Sequence, residues 1–250
     1  MYLRLMSYNI KSGRFRPHSL EAVAQIIAAQ SADIVALQEV DDCVARTGCM
    51  PQTAWLAKRL HMHGLFAPAM PMDDGWYGIA LLSRWPVESH EQRLLFRPEY
   101  ADAAQRPRHD SEQRVMLSAV FSSFNLIVTH LGLTPDQRER QALELVAHAK
   151  PWQAIQPTII AGDFNCEPSA LELAPLREHF QEACAVVGVA GAARDTFPSG
   201  PPGARCADGW HGAIDHIWLS PQVRVRSAAV IYDETRASDH QPLVVNCEIE

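Results

Sequence analysis

Two polar side chains, two positions apart, close a short apolar run in Thr158-Ile159-Ile160-Ala161-Gly162-Asp163-Phe164-Asn165, just after Pro157. Along an extended chain, residues i and i+2 project to the same side, so Asp163 and Asn165 can reach one small target together. A carboxylate and a carboxamide at the carboxyl end of a buried strand form a corner suited to phosphate or a metal ion. The competing reading is an Asp/Gly/Asn turn that merely closes the strand. What separates the two is how many other apolar runs end the same way.

Several do. Asn9, Glu39, His130, Asp163, Asn165, Asp215 and the Asp239-His240 pair all terminate or interrupt runs that read as strands. Each has a bland alternative: Asn9 closes a turn, Glu39 caps a strand end, His130 is a half-buried histidine with its hydrogen bonds met. Together they are harder to dismiss, because strand ends converge and buried charge is costly unless paired or metal-bound. Carboxylates with amide and water oxygens beside them are the donor set that Mg²⁺ takes.

The elements that must position these residues follow from periodicity. Leu3 to Ile10 reads as a first strand, and a helix capped by Ser19 carries Leu20, Val23, Ile26 and Ile27 at helical spacing. Asp33 to Val40 is a strand buried on both faces and ending in Glu39; residues 41–52 form a loop before a short helix over Trp55 to Leu60. Met70 to Tyr77 reads as turn, Gly78 to Arg84 as strand, and residues 93–114 as a long surface excursion. Val115 to Phe121 and Asn125 to Leu131 form a hairpin. Thr134-Pro135-Asp136-Gln137 starts a helix that stops at Pro151, and a helical region over Ser169 to Ala185 is interrupted by Pro175. Residues 186–212 form a large Gly/Pro/Ala loop; the strand Gly212 to Leu219 has Asp215 in its middle. Val223 to Ile231 is an exposed strand and Leu243 to Ile249 the last one. Helices alternate with strands, yet hairpins occur too, so a mixed α/β sandwich fits better than a parallel doubly wound sheet.

Composition sets the outer bounds. The 250 residues, 47% hydrophobic and 20% charged, suit one domain over residues 1–250. A net charge of -7 disfavours a protein that coats nucleic acid, while leaving room for a local basic groove. The six cysteines include no C-x-x-C pair and read as reduced thiols. No run is long and apolar enough for a membrane span, and the amino terminus lacks the pattern of a signal peptide, so the expected compartment is the cytoplasm.

The ordered motifs Ser7-Tyr8-Asn9, Leu37-Gln38-Glu39-Val40, Gly78 to Arg84, Thr129-His130-Leu131, Gly162-Asp163-Phe164-Asn165, Ile214-Asp215-His216 and Ser238-Asp239-His240 resemble the signature of the endonuclease/exonuclease/phosphatase superfamily. The resemblance runs from residue 7 to 244. It implies a DNase I-like four-layered α/β/β/α sandwich and a Mg²⁺-dependent phosphoesterase, with Mn²⁺ as a possible substitute. It also implies roles. Glu39 is the principal metal ligand, with Asn9 beside it and Asp239 completing the metal environment. Asp163 orients or deprotonates the attacking water, and Asn165 hydrogen-bonds the phosphate. His240, steadied by Asp215, contacts phosphoryl oxygens, and His130 stabilises developing charge or the leaving group. Whether Asp163 or His240 is the general base stays open, and His216 is structural.

The partner is then a phosphate ester. Acidity and the lack of lysine clusters tilt it towards a small or lipid-like phosphodiester. The loops offer arginines (Arg46, Arg106, Arg108, Arg194, Arg205), and the segments expected at the rim, Arg46 to Gln52, Met72 to Tyr77 and Arg194 to His211, carry the aromatics Trp76, Tyr77, Phe197 and Trp210. The alternatives are a nuclease acting on damaged or end-modified DNA and an inactive phosphate-binding module.

Overall fold

Alternation along the strands builds the core. In β1 (Tyr2–Asn9), Leu3 and Leu5 face one layer while Met6 and Tyr8 face another. In β2 (Ile34–Asp42), Ile34 and Ala36 likewise oppose Val35 and Leu37. Strands apolar on both faces must be covered on both. The computed structural model describes residues 1–17, 19–99, 112–207, 209, 211–232 and 236–249.

The remaining strands are β3 (His63–Met72), β4 (Gly75–Ser83), β5 (Ser89–Leu94), β6 (Val115–Val120), β7 (Asn125–His130), β8 (Thr158–Asp163), β9 (Gln181–Glu182), β10 (Asp215–Leu219), β11 (Val223–Val230) and β12 (Leu243–Ile249). They form two six-stranded sheets, ordered β11-β12-β1-β2-β4-β3 and β5-β6-β7-β8-β10-β9. Each sheet is mixed, with one parallel pair near its centre, β1 with β2 and β7 with β8. Leu5, Ala36 and Leu81 of the first sheet meet Leu117, Val128 and Ala161 of the second in a shared core. Helices α1 (Ser19–Gln30) and α2 (Gln52–Leu60) cover the outer face of the first sheet through Val23, Ile27 and Leu56. Helices α3 (Pro135–Gln153) and α4 (Ala174–His179) cover the second through Leu145 and Leu176, and a one-turn α5 (Ala183–Val186) follows β9. The result is the four-layered α/β/β/α sandwich expected.

Several local expectations are corrected. The segment read as turn, Met70 to Tyr77, is the tip of a longer hairpin of β3 with β4. Pro68 and Pro71 hide β3, and they are tolerated because it is an edge strand. Ser89–Leu94 is a wholly exposed edge strand without an apolar signal. Helix α3 runs through Pro151 to Gln153, and Thr134 makes no side-chain cap. Pro175 begins α4 instead of breaking a helix, which is where proline fits best. Asp215 opens its strand. The β2 strand continues past Glu39 to Asp42, with a register shift between Leu37 and Val40 and a left-handed Glu39 (φ 54°). Of the long surface excursion, residues 100–111, including Arg106 and Arg108, lie outside the described residues, as does Trp210.

Candidate active site

The parity that builds the inter-sheet core carries on to the strand ends. Leu5 is followed by Ser7 and Asn9; Val128 by His130; Ala161 by Asp163; and Asp215 precedes Ile217. Asn9, His130, Asp163 and Asp215 thus emerge at one end of the gap between the sheets. His130 and Asp215 are both direct register partners of Asp163. Strict alternation would send Glu39 to the helix side with Leu37, but the bulge and its positive φ re-aim it. Asn9 Nδ2 then donates to Glu39 Oε1 at 3.0 Å and to Asp163 Oδ2 at 2.9 Å.

Asp163 and Asn165 share one cavity, though not by alternation alone. The β8 strand ends at Asp163, Asn165 turns left-handed (φ 54°), and its backbone N–H returns to Asp163 Oδ1 at 2.9 Å. The turn and the functional corner are therefore one structure. Asn165 Nδ2 donates to Leu131 O at 2.9 Å, which leaves one amide hydrogen and the carboxamide oxygen. His240 stands in the loop before β12. Ser238 Oγ straps this loop to β1 by donating to Asn9 O at 2.6 Å, and His240 Nδ1 meets Asp215 Oδ2 at 2.8 Å. Asp163 Oδ2 lies 3.5 Å from His130 Nε2 and 3.7 Å from His240 Nε2.

The two histidines sit in opposite charge states. Burial opposes charge on His240, but Asp215 and Asp163 outweigh it and raise its pKa to about 10. At neutral pH it is an imidazolium whose Nδ1–H goes to Asp215. His130 is pushed well below its ordinary value by burial and by Arg114. Arg114 Nη1 lies 3.0 Å from His130 Nδ1, and a guanidinium only donates, so the neutral ring carries its proton on Nε2. Burial and Asp215 raise Asp163 to about 7, against His240 and the hydrogen bonds from Asn9 and Asn165. Tyr77, raised well above its usual range by burial and then by Glu39, stays a neutral phenol.

Whether a metal fits is answered by a cation already there. Lys11 Nζ lies 3.1 Å from Asp239 Oδ2 and 3.7 Å from Glu39 Oε1. The Glu39 and Asp239 carboxylates supply oxygen ligands of the kind Mg²⁺ prefers, while Asn9 turns its amide nitrogen to Glu39 and its oxygen to Lys11 N. Asp163, Asp215 and His240 also bring ligand-type atoms within 4.8 Å of one another. Those atoms are committed to each other, and a cationic His240 is a poor ligand, so the Glu39–Asp239 side fits better. The cavity lined by Glu39, Asp239, Asp163 and His240 is about 390 Å³.

Sequence reasoning missed Lys11, Arg114 and Glu112, all of which line that cavity. Arg114 is buried and its Nη2 pairs with Glu112 at 3.0 Å. Its only sequence signal was an arginine directly preceding a strand. Of the expected rim, Tyr77 and Phe197 line the cavity. Arg46 is instead bound to Asp41 at 2.7 Å, Arg194 lies 3.5 Å from Glu167, and Arg205 donates to Gly209 O.

His216 alternates away from the site. Its ring stacks on Phe164 with centroids 4.7 Å apart, and its Nε2 meets Ala213 O at 2.9 Å. Burial drops its pKa to about 3. Folding therefore excludes a proton that the unfolded chain binds below about pH 6.5. The stability contributed is complete above that pH and is lost as pH falls towards 3, on the order of a few kcal/mol in all. Urea unfolding at pH 7 and pH 4.5 should show a pH dependence reduced by about one proton in His216→Phe. Equal slopes in the two proteins would refute this.

The profile of the Endonuclease/Exonuclease/phosphatase family matches residues 6–240. The chain belongs to that family. Exodeoxyribonuclease III of Haemophilus influenzae is 27% identical over 184 residues, covering 68% of this chain and 60% of that enzyme's length. An endonuclease/exonuclease/phosphatase from Bacteroides vulgatus superposes with a TM-score of 0.76 at 20% identity, covering both chains fully. The mannosyl-6-phosphatase Bt3783 of Bacteroides thetaiotaomicron reaches 0.75 at 18% identity over 99% of this chain and 100% of its own. A relative by sequence is thus named for DNA and a neighbour by fold for a sugar phosphate, and the names leave the ester open.

Proposed function

We propose that this chain is a divalent-metal-dependent phosphoesterase that hydrolyses a small phosphodiester by in-line attack of water. The observation that carries the reading is the Asp163 carboxylate, set between a neutral His130 and a cationic His240 in the cavity that Glu39 and Asp239 also line. Glu39 and Asp239 would hold Mg²⁺ or Mn²⁺, with the Asn9 carboxamide beside them. When bound, the ion supplies Lewis-acid polarisation of a phosphoryl oxygen.

The chain's own residues do the rest. Asp163, raised to about 7, accepts the proton of the attacking water. His240 is already protonated, which makes it a donor to a non-bridging oxygen and unsuitable as the base. His130 offers its Nε2–H to the phosphate or to the departing oxygen, and Asn165 its free amide hydrogen. Preorganised donors of this kind act on charge as it develops.

Residues 1–250 act as one catalytic domain on this reading, supported by the pairing of β1 with β12 in one sheet. The six free cysteines fit a reducing, cytoplasmic setting. Among the described residues no helix is long and apolar enough to cross a membrane.

The test is a substrate panel with MgCl₂, MnCl₂ or EDTA. Bis-p-nitrophenyl phosphate should turn over only with metal. Plain duplex DNA should be cut weakly and with steep salt dependence, because a net charge of -7 leaves few phosphate contacts. Efficient, salt-tolerant incision at an abasic site would favour a nuclease acting on damaged DNA. Metal-loaded protein that turns over no ester would favour a phosphate-binding module.

A further inference from the structure

Lys11 is held in place by a costly piece of backbone. Lys11, Ser12 and Gly13 follow one another at φ 49°, 54° and 57°. Two successive non-glycine residues in the left-handed region persist only where their surroundings over-determine them. Asn9 Oδ1 accepts from Lys11 N at 3.1 Å, and Gln52 Nε2 donates to Ser12 O at 2.6 Å. Ser12 Oγ donates to Asp41 Oδ1 at 3.2 Å and accepts from Arg46 Nη2 at 2.9 Å. The network of buried Asp41 and Gln52 with Arg46, which has no part in the proposed chemistry, is thereby the scaffold of this turn. The turn delivers the ammonium of Lys11 to the space between Asp239 and Glu39.

An ion bound by those two carboxylates would sit about 2.0–2.1 Å from their oxygens. An ammonium 3.1 Å from one of the same carboxylates would then face a dication at close range. The side chain has somewhere to go, being 43% exposed on a flexible stem.

We propose that Lys11 is an intrinsic competitor for the divalent-cation position. Its ammonium neutralises Glu39 and Asp239 in the metal-free protein, and metal binding displaces it. The inference rests on the metal corner proposed above. Lys11 then has two effects of opposite direction: it steadies the apoprotein, where two carboxylates would otherwise face each other, and it weakens metal binding. It is a positioning residue that tunes metal affinity.

The experiment is calorimetric titration of Mg²⁺, and separately Mn²⁺, into EDTA-stripped protein at fixed pH, with thermal unfolding in EDTA alongside. Lys11→Met should bind Mg²⁺ on the order of tenfold more tightly than the wild type, a modest factor because water screens a half-exposed ammonium. Its unfolding midpoint in EDTA should be lower, and the rise on adding metal larger. Lys11→Arg keeps the charge and should behave as the wild type. Lys11→Met binding Mg²⁺ no more tightly than the wild type would overturn the proposal while leaving the metal reading intact. Absence of Mg²⁺ and Mn²⁺ binding to both proteins would overturn the two together. Glu39→Gln separates them, since it should abolish binding with either residue at position 11.

Discussion

Asp163→Asn is expected to lower turnover of a metal-activated phosphodiester by about 10³-fold while leaving the fold and metal binding intact. General-base catalysis contributes roughly 10²–10⁴-fold. The asparagine matches the carboxylate in shape and can still accept from Asn165 N through its oxygen. It gives up the acceptor for Asn9 Nδ2 and, decisively, the capacity to take a proton from water, which neither nearby histidine can supply. His240, with its pKa raised to about 10 beside Asp215, is already protonated at neutral pH. His130 is neutral, but Arg114 occupies its lone-pair nitrogen at 3.0 Å, and its other nitrogen carries the proton. The check is kcat against KM in saturating Mg²⁺, with a calorimetric Mg²⁺ titration of the same variant. Turnover within tenfold of the wild type would remove Asp163 from the role of base.

Glu39→Gln should abolish metal-dependent hydrolysis and, unlike Asp163→Asn, should do so by losing the metal. The substitution keeps the side chain's length and the bulge that aims it, while removing the charge that faces Lys11 at 3.7 Å. Removing a catalytic divalent ion forfeits several kcal/mol of transition-state stabilisation, a rate loss on the order of 10³-fold or more. Measured as an Mg²⁺ isotherm, affinity should fall together with rate. Near-normal turnover at ordinary Mg²⁺ concentrations would rule out Glu39 as the principal ligand. The contrast between the two variants separates binding of the metal from use of the water.

The sequence alone determined the side-chain types and their parity. A period of two carries Asn9, His130, Asp163 and Asp215 onto the same face as Leu5, Val128, Ala161 and Ile217, so a buried inter-sheet face extended by two residues ends in polar groups. That logic held for these four residues on β1, β7, β8 and β10. It failed at the edges, because β3 carries two prolines and β5 is wholly exposed, and an edge strand need not look hydrophobic. Only the tertiary structure decided the aim of Glu39, which depends on a bulge against β4, and the place of Lys11, which depends on Asn9, Asp41, Arg46 and Gln52 acting together. It also decided charge. His130 and His240 are alike in sequence terms, yet one is neutral and the other cationic, because Arg114 faces the first and Asp215 the second. A protonation state is set by burial and by neighbours drawn from distant parts of the chain, and no local pattern encodes these until the sheets have packed.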